Sequence, residues 1–176
     1  MQPLMKTLRK NLQLSLTLLL SLYAPLSLAT LTDDLQLVGE ARLNVLFWSI
    51  YDSSLYTTTG RYFGVEPKLT LRIHYLRKIE SSKLLDRTSE EWEKHSIIEQ
   101  DIETWLEKLA SILPDVEKGE TLTLQVEDNL SSSFYLNDEL IDNIEDAAFT
   151  QAFLAIWLSD KSSYPKLQAQ LVGLRN

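Results

Sequence analysis

Cysteine is absent from the 176 residues. That excludes disulfide staples, thiol catalysis and every cysteine-ligated metal site. Histidine is scarce, with two residues set apart at His74 and His95, so no histidine-built metal centre is expected. Glycine is sparse too, and none of it forms a phosphate-cradling loop; no cofactor is expected. The serines at 131–133 lack the G-x-S-x-G context of a hydrolase nucleophile. Beyond residue 10 no cluster of basic residues occurs. The chain carries 17 Lys and Arg against 25 Asp and Glu, a net charge of −8. Such a balance argues against nucleic acid and against anionic lipid head groups, both of which call for clustered Lys and Arg. No repeat, low-complexity tract or Pro/Gly/Ser-rich linker follows residue 29.

The first 29 residues stand apart. Lys6, Arg9 and Lys10 make a basic start, a leucine-rich run follows from Leu12 to Leu22, and Ser27-Leu28-Ala29 supplies small residues at −3 and −1. This is the tripartite pattern of a secretory signal peptide cleaved after Ala29. The apolar run is interrupted by Ser15, Thr17 and Ser21, ends at Pro25, and falls short of the roughly 20 residues that span a bilayer. Export to the periplasm, or otherwise out of the cytoplasm, is therefore expected, with no stable membrane insertion after cleavage. Removing 29 residues leaves 147, at 30–176, enough for one domain with a real core. With three basic and no acidic residues removed, 14 basic and 25 acidic remain, a net charge of −11.

Periodicity predicts the elements. Apolar or small residues at 35, 37, 39, 41 and 43 alternate as in a strand. From Val45 to Tyr56 both faces are apolar, as in a strand covered on two sides. Gly60 and Gly64 mark a loop. Leu69, Leu71, Ile73 and Tyr75 form a third strand, with Thr70, Arg72 and His74 opposite. The period then lengthens. Leu84, Leu85, Thr88, Trp92 and His95 share one helical stripe, and Ile98, Ile102, Trp105, Leu106, Leu109 and Leu113 share another. Strands return at Thr121–Val126, Ser133–Leu136 and Glu139–Ile141, the last two flanking the hairpin signal Asn137-Asp138. Ile144 to Trp157 is the most apolar helix, and Tyr164-Pro165 opens a short one through Leu174. Strands, helices, strands, helices: the grouping predicts an α+β fold with an antiparallel sheet backed by helices.

Five stretches together resemble the bacterial exported branch of the chalcone isomerase-like superfamily: VGEARLNVLFWSIYDSSLYT, LTLRIHYLRKI, ILPDVEKGETLTL, FYLNDELI and FTQAFLAIWLSDKSSYPKL. They cover almost everything after residue 29. The resemblance implies an open-faced β-sandwich with a cleft between helices and sheet. Plant members of the superfamily cyclise chalcones, other members bind fatty acids without catalysis, and others are helper proteins. The fatty-acid binders hold the carboxylate with an Arg on one strand of a hairpin and a Tyr on the next. Arg42 in GEAR and Tyr51 in SIYD match those positions, with a shorter connection between them. Phe47 and Trp48 would then complete an apolar wall, and Tyr56 lies nearby.

Each site residue has a plainer reading. A guanidinium fork suits a carboxylate, but Glu40 shares a strand face with Arg42, and such pairs are common. Tyr51 is either a ligand donor or a core tyrosine with a satisfied hydroxyl. His74 lacks an acid partner and reads as structural. The Glu90-Glu91-Glu93 cluster reads as a solvated helix face, and the four tryptophans as mostly core. The expected function is a non-catalytic exported protein whose hydrophobic cleft holds a small amphipathic acid such as a fatty acid. The alternatives are an isomerase or intramolecular lyase acting on a phenolic or enone substrate, and a structural envelope module that docks a partner.

Overall fold

The computed structural model describes residues 30–97 and 99–174. The leader expected over residues 1–29, and Ile98 of the second helical stripe, lie outside the described residues. Six strands form one sheet in the order β1 to β6: β1 (Gln36–Val45), β2 (Trp48–Thr57), β3 (Thr70–Tyr75), β4 (Thr121–Val126), β5 (Ser132–Leu136) and β6 (Glu139–Ile144). Every neighbouring pair is antiparallel. Helices α1 (Ser81–Lys94) and α2 (Glu99–Ile112) connect β3 to β4, and α3 (Ala147–Leu158) and α4 (Pro165–Leu171) follow β6. The fold is α+β, an antiparallel sheet with its helices on one face.

Alternation sorts the strands into an inner and an outer face. Ala41 and Leu43 of β1, Leu71, Ile73 and Tyr75 of β3, Leu122 and Leu124 of β4 and Phe134 of β5 are buried on the inner face. The helices supply Trp92, Trp105, Leu109, Phe149, Phe153, Leu167 and Leu171 against them. An aromatic cluster joins the layers: Trp92 lies edge-on to Trp105 at 5.4 Å and to Phe149 at 6.0 Å, and Phe153 meets Phe134 at 5.6 Å. Buried indole N–H groups find acceptors, Trp92 on the Ala152 carbonyl and Trp105 on the Asp146 carboxylate, both at 3.0 Å. Asp146 is also the N-cap of α3, accepting from the Ala148 and Phe149 amides, which satisfies donors that the helix leaves unpaired.

Several boundaries differ from the sequence expectation. The apolar run from Val45 to Tyr56 is not one strand, because Leu46 and Phe47 form a two-residue turn between β1 and β2, and Val45 pairs with Trp48. Ile144 ends β6 rather than opening the apolar helix, since Asp146 sets the cap. β5 opens one residue before the expected strand, at Ser132, which is bonded to Thr150 at 2.7 Å. The last helix closes at Leu171, leaving Leu174 exposed. Gly39 is required by packing. A Cβ there would lie 2.1 Å from the Gln170 carbonyl oxygen, so only glycine lets α4 sit this close to β1.

Candidate functional site

The inner face of the sheet and helices α1, α3 and α4 do not close completely on one another. Between them lies a cavity of about 300 Å³, at the lower end of the range for small-molecule sites, about 300–1,000 Å³. Its floor is the sheet, through Leu43, Leu71, Ile73, Leu122 and Leu124, and its roof is formed by residues such as Leu84, Phe153 and Ile156. A local irregularity shapes the floor. Leu43 pairs with Tyr51 and Asn44 with Ser49, so Ile50 is an extra residue on β2. This bulge turns both Ile50 and Tyr51 towards the cavity, which strict alternation forbids.

The polar groups of the cavity gather around Tyr51. Its hydroxyl oxygen accepts from the indole N–H of Trp157 on α3 at 2.9 Å. Among the described residues, no acceptor takes the proton of that hydroxyl. Burial drives its pKa well above the ordinary phenol value, against the opposing effect of the Trp157 hydrogen bond. Tyr51 therefore stays protonated at physiological pH and acts as a donor, not a base. Arg87 and Glu91 of α1 lie close enough for their charges to act on the same phenol, in opposite directions. Both line the cavity, as do Tyr164 and Lys83. Arg87 contacts Glu90 at 2.6 Å through Nη1; through Nη2 it contacts Glu91 at 2.7 Å and the Tyr164 hydroxyl at 3.3 Å. Nε takes part in none of these contacts.

Glu91 was expected on a solvated helix face. It is instead 2% exposed. Arg87 and Lys94 both reach its Oε1, Lys94 at 3.2 Å, and its Oε2 has no hydrogen-bond partner. Burial alone would raise its pKa, but the neighbouring Ser163 hydroxyl, Lys94 and Arg87 outweigh that and hold it below the usual carboxylate range. A buried carboxylate kept ionised by two cations makes this end of the cavity strongly polar, yet nearly compensated in charge.

Of the four residues that the sequence nominated, only Tyr51 lines the cavity. Arg42 and Tyr51 do not share a wall. Arg42 pairs with Asp52 across the strands and Tyr51 pairs with Leu43, so the two side chains leave opposite faces of the sheet. On the outer face the Arg42 guanidinium grips Asp52 in a fork, at 2.5 Å and 2.8 Å. Glu40, the partner suspected from spacing, accepts from Ser54 instead. Phe47 is 99% exposed at the β1–β2 turn, and Trp48, 61% exposed, carries the Arg77 guanidinium over its ring at 4.9 Å. Tyr56, two positions beyond Ser54 on β2, lies on the outer face. His74 also lies there, bonded to the Thr121 hydroxyl at 3.1 Å. Sequence reasoning missed Arg87, Glu91, Trp157 and Tyr164. The available signal was the spacing of Arg87 and Glu91, one helical turn apart, beside Leu84 and Thr88 on the apolar stripe.

Comparison with known proteins agrees with this architecture. The chain is 31% identical over 139 residues to an uncharacterised protein of Haemophilus influenzae, covering 78% of this chain and 68% of that protein. The crystal structure of a fatty-acid binding protein from Arabidopsis thaliana superposes with a TM-score of 0.64 at 11% identity, covering 83% of this chain and 90% of the other. That likeness is one of fold. Residues 24–173 match the family described as chalcone isomerase-like, and the chain belongs to that family.

Proposed function

We propose that this protein binds a small amphipathic acid, such as a fatty acid, in the cavity between sheet and helices, and does not transform it. The observation that carries the reading is the unspent donor of Tyr51 at the polar end of an otherwise apolar cavity. The acyl chain lies along Leu71, Ile73 and Phe153. The carboxylate accepts from the Tyr51 hydroxyl and draws on the nearby Arg87. Because Glu90 and Glu91 already offset Arg87, much of the affinity comes from the apolar body. Support also comes from the fold of a fatty-acid binding protein in Arabidopsis thaliana. We place the protein outside the cytoplasm on the strength of its leader pattern; intact-mass analysis of protein from the native host should then find a chain starting at Thr30.

The test is a titration with straight-chain acids of increasing length. Each methylene buried contributes about 0.8 kcal/mol, so Kd falls about fourfold per carbon until the cavity is full. A volume near 300 Å³ sets that plateau among medium rather than long chains. Filling the cavity with Ile73→Trp abolishes binding in protein that still melts cooperatively. Absence of saturable binding at every chain length defeats the proposal, as does chalcone loss catalysed by the protein without fatty-acid binding.

A further inference from the structure

The sheet contains two hairpins with two-residue turns, and their chemistries are opposite. The β5–β6 turn is Asn137-Asp138, both at positive φ, 52° and 69°, as a type I′ turn requires. Each side chain is also engaged. Asn137 accepts from the Thr121 amide, and Asp138 pairs with Arg72 at 2.7 Å. The β1–β2 turn is Leu46-Phe47. Leu46 has φ of 56° and Phe47 is not among the positive-φ residues, the pattern of a type II′ turn, whose first position favours glycine. A leucine there carries a backbone cost that glycine would not, since side chains on L-residues disfavour positive φ. Leu46 is 88% exposed and Phe47 99%, so no packing within the described residues offsets that cost. Turn chemistry and surface chemistry are both broken at one place, as expected where a site serves function.

We propose that the turn Leu46-Phe47, with Trp48, is a lipid-surface anchor that inserts into the interfacial region of a membrane. The three side chains sit at the tip of a two-residue turn. A stable protein interface needs about 800 Å² from each partner, more than such a tip offers, whereas shallow insertion needs only a few large apolar groups. Trp48 with Arg77 over its ring is the pairing suited to the boundary, with the indole at head-group depth and the guanidinium reaching water. The net charge, −8 for the full chain and −11 without residues 1–29, opposes anionic membranes, so the contact is apolar and suits zwitterionic lipid. Val45 and Ile50, which flank the tip, line the cavity, so the anchor places the cavity next to the membrane. The inference stands on the turn alone and holds whatever the cavity contains.

The test is flotation of the purified protein with vesicles of phosphatidylcholine and phosphatidylethanolamine, and with the same vesicles carrying phosphatidylglycerol. The wild type floats with the zwitterionic vesicles, and added anionic lipid does not strengthen binding. Leu46→Gly combined with Phe47→Asn lowers partitioning by about tenfold or more while its melting temperature stays equal or rises, because the turn residues now suit the turn. Phe63→Ser, which removes another exposed aromatic (76% exposed) in the loop after β2, leaves flotation intact. The proposal is overturned if the wild type stays in the aqueous fraction, if the turn variant floats equally well, or if Phe63→Ser abolishes flotation too. A self-associated dimer dissolved by the turn variant, without vesicle binding, assigns the tip to a second copy and also overturns it.

Discussion

The two faces of the sheet use polar residues in opposite ways. On the outer face two ion pairs cross the strands: Arg42 with Asp52, open to water with side chains 54% and 36% exposed, and Arg72 with Asp138, which is partly covered. On the inner face polar groups are few, but they are buried or face the cavity, and some bonding capacity is unspent, as at the Tyr51 hydroxyl and at Glu91 Oε2. The difference shows what makes a residue available to a ligand. An exposed arginine already forked onto a carboxylate has little to offer an anion and sits in water that screens it. A phenol whose oxygen is occupied and whose proton is free has one donor to give, in a place where a hydrogen bond counts for more.

Neighbouring residues on β1 give the sharpest way to break this comparison. Gly39→Ala drives a Cβ into the Gln170 carbonyl on the inner side and should destabilise by about 3 kcal/mol or more, since backbone cannot yield as a side chain does. Glu40→Ala, one residue along and facing outwards, should change stability by less than about 0.5 kcal/mol. Chemical denaturation of both variants checks the pair. Equal losses would mean that the two faces are not packed differently.

Acid titration provides a second contrast of smaller size. Glu91 has a folded pKa below the ordinary carboxylate value, burial being outweighed by Ser163, Lys94 and Arg87. A depressed carboxylate pKa contributes stability above the unfolded value, and that contribution is lost as pH falls through the folded value. The melting temperature should therefore fall as pH drops below about 4.5, and Glu91→Gln should flatten that limb. Asp52 on the outer face is also lowered, first by its hydrogen bond to Arg42, against a partial desolvation and with help from the charges of Arg42 and His74. It is solvated, so Asp52→Asn should leave the acid limb nearly unchanged. Circular dichroism melts across the acid range decide between them.

The smallest effect belongs to the residue that the sequence made most prominent. Arg42→Ala should leave the melting temperature within error of the wild type, since exposed ion pairs contribute little.

The strand and helix pattern was legible because it depends on periodicity. The inner residues Leu71, Ile73 and Tyr75 alternate with Thr70, Arg72 and His74 in the sequence as they do in β3. The polar end of the cavity was not legible, for two physical reasons. The bulge at Ile50 changes which residues face inwards, and no periodicity predicts an inserted residue. Glu91 carries a surface-like residue type, and only the packing of α1 against the cavity, with Arg87 and Lys94 at hand, makes its burial tolerable. The Leu46-Phe47 turn hid within an apolar run because its residues carry no turn signal. For Glu91 the missing information lay in tertiary contact; for the turn it lay in residue types that do not announce one.

The central claim is that the ligand's head group is held on the inner face at Tyr51 and not on the outer face at Arg42. The most direct measurement is the dissociation constant of one medium-chain fatty acid for the wild type, Tyr51→Phe and Arg42→Ala, by calorimetry under one set of conditions. Losing a hydrogen bond to a charged group costs about 1.5–3 kcal/mol, so Tyr51→Phe should weaken binding about ten- to a hundredfold, with Arg42→Ala indistinguishable from the wild type. Weakening in Arg42→Ala with Tyr51→Phe unaffected would contradict the account.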